Sequence, residues 1–466
     1  MHNPPVPALT VILLLVYLVT VAAIGLLWSR RAGRDEASFF VADRSLSPFW
    51  GFLGLASLTT GGSTTIALAA YVSTHGVSGL WLDLAGAVGL LVLGLFLARR
   101  VRREAAVTLP EIVGRYYGSG TRRAAAALIL VAEIVWFALL IEATQVVLSS
   151  ALGLPPIPAI VGSTAVFVLY TTLGGQFAVV RTDRLQYGLM LLGIPGIALA
   201  FALARSRGAA PLPAEALRFP TSSTLSTGDV AALLVLVGLP HLVGSDVYAK
   251  LLSCRDEAAA RAAALGAAVS KVVFGLAVAA IALAARTALP GVPAIQTLPR
   301  AVMAFVPEPL SSLVLVCLVA TMHSSADAVL LSASAVTVRD LWRPARRLSP
   351  VVAARLLTPL YAGLGLLLAL ALDRNVLETL KLGYSIFAAG LILPVLAALL
   401  LPGEALPPGA AVTAMFAGGG LAALGRFFPA LTGGMDPVLA GTAVNLAVLA
   451  FGGTARRLAG SPRAAT

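Results

Sequence analysis

The chain contains a long series of apolar runs that carry almost no charged residues, and this pattern constrains the fold more than any other feature. About 20 apolar residues of helix cross the hydrocarbon core of a bilayer, and hydropathy predicts about thirteen such spans. Their approximate limits are 8–28, 46–74, 76–98, 122–151, 155–178, 184–205, 229–251, 263–286, 308–335, 351–371, 376–401, 408–427 and 435–453. Only 12% of the residues are charged, against about 25% in soluble domains. The sequence therefore predicts an all-α integral membrane protein with a single transmembrane domain over residues 1–453.

Basic residues cluster in alternate loops between the predicted spans, and the clusters predict the orientation of the chain. By the positive-inside rule the clustered loops are cytoplasmic. They contain Arg30/Arg31/Arg34, Arg99/Arg100/Arg102/Arg103, Arg122/Arg123, Arg181/Arg184, Arg255/Arg261, Arg339/Arg343/Arg346/Arg347 and Arg456/Arg457/Arg463. The N-terminus is then outside, and residues 454–466 form a cytoplasmic tail of a multi-pass protein in a bacterial inner (plasma) membrane. No basic stretch precedes the first span, so we interpret it as a retained span rather than a signal peptide.

The net charge of +12 does not indicate a nucleic-acid partner. The arginines are spread over short loops, and the sequence has no basic helix and no basic patch interleaved with aromatic residues. The two cysteines, Cys254 and Cys317, lack metal-ligand spacing. We find no nucleophile–base arrangement, phosphate loop or metal cluster, so we do not expect an enzyme. The predicted partners are the lipid bilayer and a small solute, and the sequence does not indicate an oligomeric state.

The second predicted span has a polar interruption at its centre. Six hydroxyl residues and the pair Gly61-Gly62 lie within residues 57–65 of an otherwise apolar segment. Two adjacent glycines weaken a helix by about 2 kcal/mol relative to two alanines, and hydroxyl and carbonyl oxygens suit Na⁺. Tight helix packing, which also uses Gly, Ser and Thr, is the alternative interpretation.

The seventh span is interrupted as well, by Pro240-His241 and then by Gly244-Ser245-Asp246. A proline removes a helical hydrogen bond and kinks the segment. Spans 2 and 7 each begin a five-span unit, and the two units have opposite topology. Interrupted helices at matching positions of two repeats indicate a transporter binding site.

Span 9 carries Thr321, Ser324 and Ser325 at spacing i, i+3, i+4, which places three hydroxyls on one helix face. With Asp327 beside them, an ion site is favoured over simple packing. Ionisable groups within spans are expensive to bury and are functional candidates by default. The carboxylates in or at the ends of spans are Asp83, Glu133, Glu142, Asp183, Asp246 and Asp327. Glu133 and Glu142 lie about 180° apart around one helix, so we do not expect them to serve one site.

Residues 170–186 form the most specific motif, Y-x-x-x-G-G-x-x-A-V-x-x-T-D-x-x-Q. The motif resembles the signature of the sodium:solute symporter family. The stretches 108–112 (TLPEI) and 339–342 (RDLW), the latter after span 9, resemble two weaker elements of the same family. The resemblance covers essentially the whole chain and implies the LeuT-like five-plus-five inverted repeat with extra helices at both ends. The implied division is span 1 at 8–28, repeat one at 46–205, repeat two at 229–401 and extra C-terminal spans at 408–453.

The resemblance also implies a central sodium site between spans 2 and 9, with Na⁺ as the coupling ion. Its ligands would be three backbone oxygens and two hydroxyls, from Ala56, Thr59, Thr321, Ser324 and Ser325. Asp183 would lie just inside this site and assist ion exit, or hold a second cation together with Asp327. Span 2 lacks the larger polar side chains of sugar-binding members, with Gly62 and Ser63 in their place, which argues against a sugar.

Together these features predict a sodium-coupled secondary symporter that imports a small organic solute by alternating access. The solute would bind against the breaks of spans 2 and 7, at Gly61, Gly62, Ser63, Gln145, His241 and Asp246. The alternatives are a proton-coupled symporter of the same fold, which would use Asp327, Asp183 or Glu142, and a non-transporting solute sensor. The carboxylates within the spans suit a cationic or zwitterionic solute and suit the coupling ions equally, and the family resemblance implies a small organic acid or amino acid.

Overall fold

The computed structural model describes residues 8–207, 211–342, 348–372, 376–401 and 406–458. These residues form α-helices joined by short turns, and the paired extended backbone among them is limited to isolated bridges. The α-helices, in chain order, are α1 Ala8–Ala32, α2 Glu36–Val41, α3 Pro48–Thr60, α4 Ser63–His75, α5 Trp81–Val92, α6 Ala98–Arg103, α7 Leu109–Tyr117, α8 Ser119–Leu152, α9 Pro156–Leu191, α10 Leu199–Ser206, α11 Thr227–Leu233, α12 Leu239–Leu242, α13 Ser245–Leu252, α14 Glu257–Ala288, α15 Thr297–Phe305, α16 Leu310–Val336, α17 Pro350–Ala371, α18 Val376–Leu400, α19 Pro408–Phe427 and α20 Pro437–Leu458. The prediction of an all-α fold is confirmed.

Eleven stretches of the described residues are long and apolar enough to cross a membrane. The predicted number is thirteen. The break after α3 leaves only 13 residues in that helix, and α4 continues through the turn at Gly76–Leu80 into α5, so that residues 63–103 form one stretch of 41 residues. The multi-pass membrane character is confirmed, whereas the count of thirteen and the repeat boundaries stay predictions.

Burial separates a central group of helices from a peripheral one. In the most apolar part of α16, 94% of the residues are buried, against 22% in α1 and 22% in α20. α16 contacts α8, α9 and α3. The helix that carries the predicted ion-binding hydroxyls therefore lies at the centre of the molecule.

The C-terminal helices α19 and α20 pack closely on α18. Asn445 Nδ2 of α20 donates hydrogen bonds to the carbonyls of Ala389 and Gly390 at 2.7 and 2.9 Å. Small residues allow such close backbone approach between membrane helices. α20 continues to Leu458, so the first five residues of the predicted tail are helical, and residues 459–466 lie outside the described residues.

Candidate functional site

The chain is broken between α3 and α4, where the sequence predicts an interruption. α3 ends at Thr60, Gly61 and Gly62 are non-helical, and α4 begins at Ser63. Gly62 has a φ of 67°, a left-handed conformation that glycine adopts without a steric penalty. A Cβ atom on Gly62 would lie 2.6 Å from Ser325 Oγ. The break is therefore held against α16, and both the backbone and the neighbour require glycine there.

The second break lies between α12 and α13, at Val243 and Gly244. It coincides with the predicted interruption at Gly244, whereas the predicted interruption at Pro240 remains helical. Val243 has φ −135° and ψ 40°, and Gly244 is extended. Pro240 lies inside α12, directly after a π-helical stretch at Leu234–Gly238. Proline has no backbone N–H to donate. The wider π-helical turn before it accommodates the missing hydrogen bond, so the helix continues past Pro240. Asp246 follows the break in the first turn of α13.

Hydroxyl groups of α16 meet carbonyl oxygens of α3 beside the first break. Ser324 Oγ donates to Ser57 O at 3.2 Å and to Thr321 O at 2.9 Å. Ser325 Oγ donates to Leu58 O at 3.3 Å. The structure thus places the three α16 residues predicted to bind sodium against the end of α3. This crossing of α3 and α16 is a cluster of uncharged oxygen atoms inside the protein.

The two α3 residues predicted as sodium ligands have different surroundings. Ala56 is fully buried, and the carbonyls that the α16 hydroxyls contact belong to the two residues after it. Thr59 O accepts a hydrogen bond from Lys271 Nζ of α14 at 2.5 Å. The same ammonium pairs with Asp83 Oδ1 of α5 at 2.6 Å. The roles of Ala56 and Thr59 as sodium ligands stay predictions.

A second buried ion pair lies beside Gly54 of α3. Lys250 Nζ of α13 is 2.5 Å from Asp183 Oδ2 of α9, and the two side chains are 1% and 0% exposed. A Cβ atom on Gly54 would lie 3.4 Å from Asp183 Oδ2, so the pair is packed against α3. Asp183 therefore already has a cation beside it. Asp327 accepts a hydrogen bond from Thr171 Oγ1 at 2.7 Å, so the two predicted members of a second cation site have different partners, and that site stays a prediction.

Sequence reasoning missed both lysines, although a signal was present. Lys271 lies within the predicted eighth span, in a run of alanine and valine residues, and Lys250 lies at the end of the seventh. Charges of either sign are rare inside membrane spans. The occurrence of an ionisable residue within a span marks Asp83 and Asp183 as candidates, and by the same criterion it marks their partners Lys271 and Lys250.

A cavity of about 60 Å³ lies between the two breaks. Its polar lining comes from both broken helices and from α16. Aromatic side chains of α8 and α18, Trp136 and Tyr384, line it as well. Five of the six predicted substrate contacts line it: Gly61, Gly62, Ser63, His241 and Asp246. Gln145 is not among the lining residues; its Nε2 donates to Ser149 Oγ at 3.0 Å. Its role as a substrate contact stays a prediction.

The cavity combines one acidic side chain with two aromatic rings. Asp246 is the acidic residue among the described lining residues, and its Oδ1 accepts from the backbone N–H of Val247 at 2.7 Å. Trp136 and Tyr384 also line the cavity, with ring centroids 5.3 Å apart. His241 Nδ1 lies 2.8 Å from Val237 O. A carboxylate together with aromatic faces favours a positively charged group.

Residues 39–402 match the family model described as "Sodium:solute symporter family". The chain belongs to the sodium:solute symporter family. The match includes both broken helices, α16 and the residues that line the central cavity, so the resemblance drawn from residues 170–186 is confirmed. Among the described residues there is no group of three or more His, Cys, Asp or Glu side chains placed to hold a metal ion.

Curated relatives within the family transport different solutes. The chain is 25% identical to the high-affinity choline transporter 1 of Caenorhabditis elegans over 35% of this chain and 28% of the relative. It is 29% identical to the sodium/myo-inositol cotransporter 2 of Mus musculus over 39% of this chain and 27% of the relative. The alignments thus span less than a third of these relatives' length.

Solved structures support the fold. A Na⁺-coupled sialic acid symporter in a substrate-bound outward-open state has a TM-score of 0.78 and 15% identity, covering 96% of this chain and 98% of that chain. The nucleobase-cation-symport-1 family transporter Mhp1 in a closed conformation has a TM-score of 0.58 and 14% identity, covering 91% and 96%. The predicted LeuT-like fold is confirmed.

Proposed function

We propose that this protein is a sodium-coupled secondary symporter that imports a small organic solute by alternating access. The observation that carries the proposal is the crossing of α3 and α16, where uncharged oxygens of two helices converge beside a helix break. Oxygen ligands without permanent charge hold a hard monovalent cation and still release it on the low-sodium side. Membership of the sodium:solute symporter family supports the same proposal.

The sodium ligands would be the backbone oxygens of Ala56, Thr59 and Thr321 with the hydroxyls of Ser324 and Ser325. The contacts that the two serine hydroxyls make with α3 are 3.2 and 3.3 Å long, at or beyond the usual length of a hydroxyl hydrogen bond. An ion at the crossing would therefore replace weak bonds. The Thr59 carbonyl would be shared between the ion and Lys271.

We further propose that the solute carries a positive charge. Its cationic end would lie against Asp246, with the faces of Trp136 and Tyr384 beside it, because an aromatic face attracts a cation by about 0.5–2 kcal/mol. The two lysines near Asp246 and the cavity are already paired, Lys271 with Asp83 and Lys250 with Asp183. The choline transporters among the relatives are in keeping with such a solute.

The orientation follows from the arginine clusters of the sequence. We propose a bacterial inner membrane location with the N-terminus outside and the C-terminus in the cytoplasm. Sodium and solute would then reach the central cavity from outside. Cysteine labelling of single sites at either end in intact cells tests this orientation.

Thermal stability of the purified protein in NaCl and in KCl at equal ionic strength tests the sodium site. A ligand that binds only the folded state stabilises it by about 2.7 kcal/mol at a hundredfold excess over Kd. We expect a sodium-specific rise that Ser325→Ala removes. Ser334→Ala is the matched control, because Ser334 is also buried on α16 but bonds to Leu330 O and Thr358. Equal sodium responses in wild type and Ser325→Ala would refute the site.

A further inference from the structure

Glu133 is a buried carboxyl group that the proposed sodium-coupled cycle does not use. It lies on α8, is 0% exposed, and its Oε1 accepts a hydrogen bond from Ser332 Oγ of α16 at 2.6 Å. Its Oε2 has no hydrogen-bond partner among the described residues. The buried carboxylates of Asp83, Asp183 and Asp340 each pair with a lysine or arginine. Glu133 takes part in none of the ion pairs of the described residues.

An ionised carboxylate at this position would lack compensation for the loss of water. Burying an isolated charge costs far more than burying a neutral carboxyl group, and buried groups respond by becoming neutral. Asp246 follows Ser245, whose hydroxyl lies 3.0 Å from that of Ser332, and its negative charge would add to the penalty. A protonated Glu133 keeps the bond to Ser332 and carries no charge. The surroundings therefore select the protonated form.

A chain of hydroxyl groups connects Glu133 to a second, smaller cavity. Ser332 Oγ lies 3.0 Å from Ser245 Oγ, in the first turn of α13. Ser245, Ser332 and Asp246 line a cavity of about 20 Å³, which is enough for one water molecule. Asp246 also lines the central cavity. Because hydroxyl groups both donate and accept hydrogen bonds, a proton can pass between Glu133 and either cavity.

The Ser245–Ser332 contact also joins parts of the protein that alternating access would separate. Ser245 directly follows the break before α13, whereas Ser332 and Glu133 lie on α16 and α8, which pack against each other. Separating α13 from α16 would break this contact and admit water to Glu133, where the ionised form would be hydrated. A proton on Glu133 therefore favours the state in which α13 and α16 are joined.

We infer that Glu133 is a proton-binding site linked to the transport cycle, so that H⁺ acts beside Na⁺ as a second coupling ion. The link to the cycle rests on the proposed function, whereas proton binding itself does not. The proton would reach Glu133 through Ser245 and Ser332 and leave by the same hydroxyls when α13 moves.

Few other ionisable groups face this hydroxyl chain. Asp246 and Lys250 approach it from α13, and Lys250 is paired with Asp183. Asp327 lies five residues before Ser332 on α16, about 140° around the helix, and is bonded to Thr171. The side chains that α2, the segment before α7, and α9 present at the smaller cavity are uncharged: Phe40, Val107, Thr108 and Gln176.

Infrared spectra of the purified full-length protein across a pH titration test proton binding. Glu133→Gln has almost the shape of the protonated side chain and should fold. Asp340→Asn is the control, because Asp340 is a buried carboxylate that is paired with Arg122 Nε at 2.6 Å. We expect a protonated-carboxyl absorption near neutral pH that Glu133→Gln lacks and Asp340→Asn keeps. Identical carboxyl absorption in wild type and Glu133→Gln would overturn the proposal.

Ser332→Ala covers the case in which Glu133→Gln does not fold. This variant keeps the carboxyl group and removes its hydrogen-bond donor. The absorption should then shift in frequency without loss of amplitude. An unshifted absorption would mean that the protonated group is not Glu133.

A thermal-shift titration with sodium tests the linkage to the cycle. It measures the sodium concentration that gives half of the thermal stabilisation, and this concentration is compared between about pH 6 and about pH 8. We expect a change of about fivefold or more in wild type, as for a typical coupling between sites, and the same change in Asp340→Asn. Glu133→Gln should show none; if it keeps the wild-type change, the linkage is refuted. No sodium response at either pH would refute the sodium-coupled function instead, and the infrared result would still decide the proton site.

Discussion

Breaking the buried pair of Lys250 and Asp183 is the perturbation whose size the structure predicts best. The two side chains are 1% and 0% exposed and 2.5 Å apart, and they join α13 to α9. Removing either partner leaves the other as an isolated charge inside the protein. Such a loss costs about 3–5 kcal/mol of unfolding free energy.

Replacing both partners by neutral side chains should behave differently. The double variant Asp183→Asn/Lys250→Met contains no isolated charge, and replacing a buried ion pair by neutral groups is often neutral or stabilising. We therefore expect each single variant to lose about 3–5 kcal/mol, and the double variant to recover most of that loss. The coupling energy of the cycle should then be at least about 3 kcal/mol.

Unfolding in mixed detergent micelles, followed by circular dichroism for the four members of the cycle, measures this coupling. The matched control is the pair Arg103 and Glu257, which also joins two helices, with side chains 69% and 38% exposed. An exposed pair contributes only about 0.2–1 kcal/mol. A Lys250–Asp183 coupling no larger than that of the control would show that the charges are hydrated and that our account of the pair is wrong.

Three further outcomes follow from the site and the packing. Gly62→Ala places a Cβ at a φ of 67° and 2.6 Å from Ser325 Oγ, so it should lower stability by at least about 1 kcal/mol and abolish the sodium-specific thermal shift. Gly120→Ala, on helix α8 with open space around its Cβ, should not lower stability and should keep the sodium-specific shift. Asp246→Asn should weaken binding of a cationic solute by about tenfold or more while the sodium response persists; an unchanged affinity in an uptake or binding assay would exclude Asp246 as the cation partner. Asn445→Ala leaves the carbonyls of Ala389 and Gly390 without their donor and should lower stability by about 1–3 kcal/mol without affecting sodium dependence; a change in sodium dependence would show that the C-terminal helices take part in coupling.

The sequence predicts the helical membrane fold and the first break because both depend on local properties. Apolar length is read directly from the chain, and the pair Gly61-Gly62 weakens a helix wherever it occurs. The spacing of Thr321, Ser324 and Ser325 likewise fixes one helix face. Of the two interruptions predicted in span 7, the one at Gly244 is a break, whereas Pro240 is accommodated beside a π-helical stretch, which depends on how the surrounding helices pack.

Pairing between distant segments is the part that the sequence does not reveal. Lys271 and Asp83 are 188 residues apart, and only the fold brings the ammonium to the carboxylate and to Thr59 O. Whether the face of α8 that carries Gln145 turns towards the cavity likewise depends on the rotation of that helix. The partners of Glu133 come from α16 and α13, so its surroundings follow from tertiary contacts alone.

The buried lysines have an electrical consequence. Because Lys250 and Lys271 each lie beside a carboxylate, neither adds an uncompensated charge to the protein that would have to move through the membrane field. The charge carried in one cycle would then equal that of the bound ions and solute. Each positive charge that enters draws on the membrane potential by about 2.3 kcal/mol per 100 mV, or roughly fiftyfold in accumulation. A voltage step on reconstituted membranes would count these charges directly.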